Sequence, residues 1–375
     1  MIFTPFIYAS LAITGAKAIV SGLVFDRYIS IWLENTDFSS AAADPNFAAL
    51  TKQGLQMTNF FGVTHPSEPN YVSVAGGEYF GMDNDNLNNI PANISSIVDL
   101  LEDKGISWGE YEEDMPSTGF TGFSFNNAAG ANDYVRKHNP LVIYDSVSTT
   151  SRVNNIKNFT LFQQDLANNA LPQWIFITPN MTDDGHDSSI TVASKWAINF
   201  LTPLLKNPNF NANKTLIVLT FDENGTDSAA NRIDTIVLGS ALPESLVGKT
   251  DTAFYNHYSE LATVEANWGL HTLGRYDVGA NVFSFIGSIT GDVIRAPTSP
   301  ALSSILLNKS YPGLFNSATS RPLPVPNTTL TVNGRTVLPA IISTWGTAAL
   351  QKCTTYTGAV DVPSSSNPPV LPKGC

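Results

Sequence analysis

Leu216-Ile-Val-Leu-Thr-Phe-Asp-Glu-Asn224 is the stretch on which the reading of this chain turns. Its run of apolar and β-branched residues predicts a strand buried on both faces, as in a parallel sheet. The run stops on Asp222 and Glu223. In open α/β sheets ligands bind in the crevice beyond the carboxyl ends of the strands. A carboxylate pair placed there suits either a hard metal ion or acid/base work.

The same pattern, a strand followed by a polar exit, recurs on either side. Val24 to Leu33 predicts a first strand running into Glu34-Asn35, and Trp174 to Thr178 predicts another whose exit loop carries Thr182-Asp-Asp-Gly-His-Asp187. Ile106 to Tyr111 and Asp234 to Leu238 predict two more. Between them come helices. Pro45 to Met57 has Asp44 as N-cap and Pro45 at the first helical position. Asn93 to Lys104 has helical periodicity, with Asn93 as cap and Gly105 as stop. Ser189 to Leu205 is capped by Ser188 or Ser189, and a helix with His257 near its start ends at Gly269. Pro66 and Pro69 bracket Ser67 and place it at a tight entry into a short helix, whose N-terminus favours a phosphate. Glu112 to Ala131 lacks a period and predicts a surface loop.

This alternation indicates one doubly wound α/β domain over residues 19–296, a mostly parallel sheet sandwiched by helices. Residues 297–375 turn Pro-, Ser- and Asn-rich and predict an extended tail packed on that domain.

Composition narrows the classes. The net charge of −12 argues against nucleic acid or an anionic membrane as the main partner. Charged residues make up only 14% of the chain, well below the usual quarter, which leaves a polar but sparsely charged surface. Phe3 to Gly15 is apolar and Ala16-Lys17-Ala18 has the small-x-small form of a cleavage site, so residues 1–18 predict a secretory signal. No later apolar run reaches the roughly 18 residues of a membrane span. Seven sequons, at Asn93, Asn158, Asn180, Asn213, Asn224, Asn308 and Asn327, fit a secreted glycoprotein. Cys353 and Cys375 have no metal-ligand spacing, and in an oxidising compartment they predict a disulfide closing the tail.

Glu34-Asn35, the Asp183–Asp187 loop, Asp222-Glu223 and His257 therefore meet at strand ends and a helix start. Taken singly each is an ordinary cap or turn; their recurrence in one α/β order is the signal. Carboxylate and amide oxygens suit a hard divalent cation, and imidazole suits zinc or transition metals. Ser67, or Thr64 or His65 beside it, is the nucleophile such a cation would organise. Tyr134 to Pro140 gathers Arg136, Lys137 and His138, which read equally as a phosphate-facing patch or as a solvated basic turn.

Glu34 to Phe38, His65-Pro-Ser-Glu-Pro-Asn-Tyr71, Tyr134 to Pro140, Thr178 to Asp187, Phe221-Asp-Glu223 and His257 to Gly269 occur in that order. As a set they resemble the fungal secreted, phosphate-repressible acid phosphatases of the phosphoesterase family. That family also holds the non-specific phospholipases C and belongs with the alkaline-phosphatase-like superfamily. The resemblance runs from about Phe25 to Gly269, and the tail with its cysteines is also similar to the fungal branch. It implies one divalent metal ion held by Glu34, Asn35, Asp222 and Glu223. It implies Ser67 as the nucleophile, with His186, Asp187 and His257 binding phosphate or protonating the leaving group. Thr64, His65, Asn70, Lys137 and His138 are the further phosphate contacts. Two-metal members of the wider superfamily carry an Asp four residues before their loop His; that position here is Thr182, which favours one metal over two. The implied activity is low-specificity hydrolysis of small phosphomonoesters through a phospho-enzyme, outside the cell and without stable membrane association. A phospholipase C or phosphodiesterase, and a non-catalytic cell-wall glycoprotein, are the alternatives.

Overall fold

The computed structural model describes residues 19–212, 214–297, 306–323 and 325–375. The expected signal at residues 1–18 and the sequon at Asn213 lie outside the described residues. In chain order the strands are β1 (Arg27–Leu33), β2 (Leu55–Phe61), β3 (Trp108–Glu112), β4 (Ser124–Asn126), β5 (Asn132–Val135), β6 (Ile156–Asn158), β7 (Trp174–Thr178), β8 (Thr215–Phe221), β9 (Arg232–Leu238), β10 (Lys249–Asp251) and β11 (Tyr255–Asn256). The helices are α1 (Phe38–Ala43), α2 (Pro45–Thr51), α3 (Ser67–Gly76), α4 (Ile97–Asp103), α5 (Asp145–Ser148), α6 (Phe159–Ala167), α7 (Ile190–Leu204), α8 (His257–Trp268), α9 (Tyr276–Gly279), α10 (Ser284–Thr290) and α11 (Pro339–Trp345).

The main sheet has the order β10-β2-β9-β8-β1-β7-β3-β6, with β11 pairing beside β2. β9 runs antiparallel to both its neighbours, β8 and β2, and the other pairings are parallel. The expected doubly wound, mostly parallel sheet is therefore present. β8 is buried along its whole length, as its uninterrupted apolar run requires when helices cover both faces. Side-chain alternation in β1 locates those helices. Tyr28, Ser30 and Trp32 all donate to Glu260 of α8, at 2.8, 2.6 and 3.1 Å. On the other face Phe221, paired in register with Leu33, meets Phe47 of α2 at 5.6 Å between ring centres. Asn46 of α2 then donates to Ser194 of α7 at 3.0 Å.

Three local expectations are corrected. The helix opening at Pro45 keeps its cap, since the Asp44 carboxylate accepts from the Asn46 and Phe47 N–H groups, but it ends at Thr51 and not at Met57. Leu55 and Met57 are buried while Gln56 and Thr58 are partly exposed, a period of two that makes β2. Gly54 lets that strand enter against β9, where an added Cβ would lie 2.4 Å from the Val237 carbonyl. The helix expected from Asn93 starts at Ile97, because Ser96 and Asp99 form a capping box that Asn93 does not supply. The loop expected over Glu112 to Ala131 contains β4, which pairs antiparallel with β5.

The tail carries a small hairpin of β12 (Thr331–Val332) and β13 (Arg335–Thr336) and the expected Cys353–Cys375 disulfide. It contributes Tyr311, Val337, Leu338, Ile341 and Tyr356 to the main core. The hydroxyls of Tyr311 and Tyr356 both donate to the buried carboxylate of Glu78, just beyond α3. Among the sequons, Asn93 is exposed, whereas Asn224 is buried with its Nδ2 donating to Asp37 and to the Thr226 carbonyl, leaving no room for a glycan. The Nδ2 groups of Asn158, Asn180, Asn308 and Asn327 are likewise hydrogen-bonded to Met115, Asp114, Asp227 and Tyr356.

Candidate functional site

β1, β2, β7 and β8 run the same way, so their carboxyl ends open on one edge of the sheet. Leu33 and Phe221 are paired across β1 and β8, and Glu34-Asn35 therefore leaves the sheet beside Asp222-Glu223. The exits are tied together by the backbone. Asp222 N–H donates to the Leu33 carbonyl at 3.1 Å, and Glu34 N–H donates to the Asp184 carbonyl, beyond β7, at 2.9 Å. Asn35 takes a left-handed conformation with φ 30°, a region Asn tolerates better than most residues, and its N–H donates to Asp222 Oδ1 at 3.2 Å.

The turn after β2 brings in the nucleophile candidate. Ser67 is the first residue of α3, and its Oγ donates to Glu34 Oε2 at 3.1 Å. One turn on, Tyr71 donates to Glu34 Oε1 at 2.6 Å, so one helix face serves both oxygens of a single carboxylate. Asn70 holds the turn itself. Its Oδ1 accepts from Val63 N at 2.9 Å, while its Nδ2 donates to the Thr64 carbonyl at 2.9 Å and to Glu223 Oε2 at 3.1 Å. In this structure the Asn70 amide, expected at the phosphate, is engaged by these partners within the protein.

Glu34, Asn35, Asp222 and Ser67 thus converge, and the charge balance there is lopsided. Asp222, Glu223 and Asp184 are pushed well above the usual carboxylate range, first by burial and then by repulsion from neighbouring acids. Glu34 goes the other way. Burial raises it, but His138, His186 and Lys137 outweigh burial and hold it at about 2. With its amide oxygen turned toward them, Asn35 would add a third acceptor 2.8 Å from Glu34 Oε2 and 3.1 Å from Asp222 Oδ1. Two oxygens that share a cation at about 2.1 Å and a right angle lie about 3 Å apart, so the donor set fits a small divalent ion. With its amide turned over, Asn35 would satisfy the same two carboxylates by donation instead. Glu223, whose charge is opposed by Asp222 and Glu34, has its Oε2 3.2 Å from His65 Nδ1 and 3.1 Å from Asn70 Nδ2.

A second grouping overlaps the first. Glu34, His138 and His186 offer ligand atoms that all lie within 4.8 Å of one another, a possible metal site in its own right. His186 Nδ1 is 3.2 Å from Glu34 Oε2 and its side chain is 23% exposed, so it lines the opening. His138 is buried. Its Nε2 lies 3.3 Å from Glu34 Oε1, its Nδ1 3.3 Å from Asp184 Oδ2, and its ring stacks on Tyr71. Burial drives its pKa down to about 3 against the pull of Glu34. His138, expected as a phosphate contact, is instead packed behind Glu34.

The remaining expected residues divide. Lys137 stands at the wall of the site with Nζ 3.0 Å from Asp85 Oδ2, and Asp85 Oδ1 accepts from Glu68 N–H at 2.9 Å. Glu34 and Asp85 keep Lys137 charged although burial opposes it. His65 Nε2 meets Asn224 Oδ1 at 3.0 Å, and Thr64 is buried with its hydroxyl on the His65 carbonyl. Asp187 is exposed and bonds through its N–H to the Met181 carbonyl. His257, expected to protonate a leaving group, has no exposed surface: it packs on Trp32 and its Nε2 lies 2.6 Å from the Asp222 carbonyl. Burial takes its pKa down to about 3. That placement does not fit a proton donor facing substrate. Sequence singles out neither Tyr71 nor Asp85, whereas Asp184 belongs to the exit loop that it names. Tyr71 had a usable signal, its four-residue spacing from Ser67 on one helix; Asp85 had none.

Residues 38–271 match the phosphoesterase family. An acid phosphatase of Aspergillus fumigatus is 53% identical over 296 residues, 78% of this chain and 65% of that protein. The phosphate-repressible acid phosphatase of Penicillium chrysogenum is 52% identical over 295 residues, covering 78% and 70%. An acid phosphatase of Aspergillus niger is 51% identical over 276 residues, covering 73% and 66%. The chain spans about two thirds of the length of these relatives.

Proposed function

The chain belongs to the phosphoesterase family, and from that premise we propose that it is an acid phosphatase hydrolysing phosphomonoesters through a phosphoseryl intermediate at Ser67. The observation that carries this reading is the convergence of the Ser67 hydroxyl with the Glu34, Asn35 and Asp222 oxygens at the carboxyl edge of the sheet. Similarity to fungal acid phosphatases over more than 70% of the chain supports it.

A divalent cation held by Glu34, Asn35 and Asp222 would supply Lewis-acid polarisation of the phosphoryl group and a lowered pKa for the attacking hydroxyl. The protein does the rest. Glu34 Oε2 already receives the Ser67 proton in a hydrogen bond and orients Oγ. Tyr71 fixes the other oxygen of that carboxylate so the orientation holds. The Ser67 Oγ–P bond forms as the P–O bond to the leaving group breaks; the Oγ proton passes to Glu34 Oε2, and His186 at the opening gives its proton to the leaving oxygen. Water then forms the new P–O bond as the Oγ–P bond breaks; His186 takes a proton from that water, and Glu34 returns the first proton to Oγ. Lys137 and the N-terminus of α3 offer positive charge to the phosphoryl oxygens.

Catalysis is assigned to residues 19–296, with residues 297–375 as scaffold. The apolar leader, the exposed sequon at Asn93 and the tail disulfide support secretion as a glycoprotein, and no helix among the described residues is long and apolar enough to cross a membrane. Phosphate scavenging follows from low specificity outside the cell. The net charge of −12 weighs against nucleic acid or anionic lipid as partner.

The test is hydrolysis by the purified chain, metal-replete, of p-nitrophenyl phosphate, bis-p-nitrophenyl phosphate and phosphatidylcholine at acid and neutral pH. Preference for the monoester at acid pH is expected. Preference for the diester or the lipid would move the protein to the phosphodiesterase or phospholipase branch, and no hydrolysis of any would leave a non-catalytic glycoprotein.

A further inference from the structure

We propose that His257 is a positioning residue that fixes the metal-ligand carboxylate of Asp222 through the backbone. The inference rests on the metal cradle described above and goes beyond it. His257 opens α8, whose first turn is held by a capping box in which Asn256 Oδ1 accepts from Tyr258 N–H and Ser259 Oγ accepts from Asn256 N–H. Its ring is enclosed by Trp32, at 4.1 Å between ring centres, and by Phe60, at 5.9 Å. At 2.6 Å from the Asp222 carbonyl, Nε2 must carry the proton, because a carbonyl only accepts. Nδ1 is then a bare lone pair, and it is buried with no partner among the described residues. Neither nitrogen has a path to a substrate.

The carbonyl that His257 holds belongs to the peptide joining Asp222 to Glu223. Rotation of that peptide sets where the two carboxylates point, so a bond to its oxygen controls the cradle from beneath. The carbonyl is closely packed: a Cβ added at Gly62 would lie 2.7 Å from it. Three residues along α8, Glu260 accepts from Trp32 Nε1 at 3.1 Å. The first turn of α8 therefore grips the ends of β1 and β8, the two strands that deliver Glu34 and Asp222. Partners that orient a ligand from behind typically change metal affinity about 10- to 100-fold when removed.

The test compares His257→Gln, which keeps a donor at the Nε2 position but has no proton to give as an acid, with His257→Leu, which removes the donor. Mn²⁺ binding to the full chain is measured by titration calorimetry, and kcat at saturating Mn²⁺ is measured on p-nitrophenyl phosphate and on glycerol phosphate, a poorer leaving group. His257→Leu is expected to bind Mn²⁺ about 10- to 100-fold more weakly. His257→Gln is expected to stay close to the wild type in both affinity and kcat. Selective loss of kcat on glycerol phosphate in His257→Gln, or unchanged Mn²⁺ affinity in His257→Leu, would overturn the proposal. Should His257→Leu fail to fold, His257→Phe, which keeps an aromatic ring and removes the donor, takes its place in the Mn²⁺ titration with the same expected and overturning results. Absence of Mn²⁺ binding by the wild type is a separate outcome that removes the metal reading and this inference with it.

Discussion

The Ser67 hydroxyl donates to Glu34 Oε2 at 3.1 Å, although the two residues sit on different elements and 33 positions apart. The bond joins the start of α3 to the end of β1, and the same carboxylate receives Tyr71 on its other oxygen. A hydroxyl held this way is oriented by the protein before any substrate arrives, which is where orientation contributes to catalysis.

Replacing Ser67 by Ala removes the proposed nucleophile and one donor to Glu34. Turnover of p-nitrophenyl phosphate is expected to fall by at least about 10⁴-fold, the scale on which loss of an attacking residue is felt. The far-ultraviolet circular dichroism spectrum should not change. Residual activity within tenfold of the wild type would move the attack to His65 or Thr64.

Asp85 stands where an anion would compete with phosphate. Its carboxylate takes both the Glu68 N–H at the start of α3 and the Lys137 ammonium. Asp85→Asn keeps the shape and removes the charge, so inorganic phosphate is expected to inhibit more tightly, by about fivefold for roughly 1 kcal/mol of relieved repulsion. Weaker inhibition in this variant would mean that Asp85 instead holds Lys137 in place.

Stability should fall as pH rises. Burial pushes Glu260 up to about 7, Glu113 to about 7, Asp234 to about 6 and Glu68 to about 8. In the unfolded chain these carboxyls titrate near their ordinary values of about 4. The folded chain therefore binds more protons between about pH 4 and 8, and the stability present at the acid end is lost as pH rises through those folded values. Melting temperatures recorded in EDTA across that range should decline toward the alkaline side. A rise toward neutral pH would contradict this account of the buried acids.

The tail is held through Glu78. Tyr356→Phe leaves Glu78 Oε2 without the donor that now sits at 2.8 Å, inside a fully buried site. Urea unfolding should show a loss of about 1 to 3 kcal/mol. An unchanged midpoint would separate the tail from the stability of the domain.

Much of the sheet was legible because its strands announce themselves. β7 and β8 are buried, largely apolar runs, and the polar exits of β1 and β8 name the proposed metal cradle. β2 was hidden inside a helical reading, since Leu55 and Met57 alternate over too few residues to outweigh the helix signal at Asp44-Pro45. The acids at strand ends could be named from order alone, because parallel strands bring their carboxyl ends to one edge. The histidines could not. A His at a helix start reads the same whether its ring faces a substrate or a backbone carbonyl, and only packing on Trp32 separates the two for His257. His138 is a similar case, stacked on Tyr71 behind Glu34 and not open to a phosphate. Asp85 reaches the site through space, and nothing local in its loop reports it.

The most direct test of the central claim is to find the phosphate on the protein. The chain is mixed with p-nitrophenyl phosphate at acid pH, quenched during turnover, and its peptides mapped by mass spectrometry. The account requires a phosphoryl group on Ser67, stable to the acid quench and absent from Ser67→Ala. A label that is lost in acid and kept in base, as on His65, or turnover with no phosphorylated peptide at all, would contradict it.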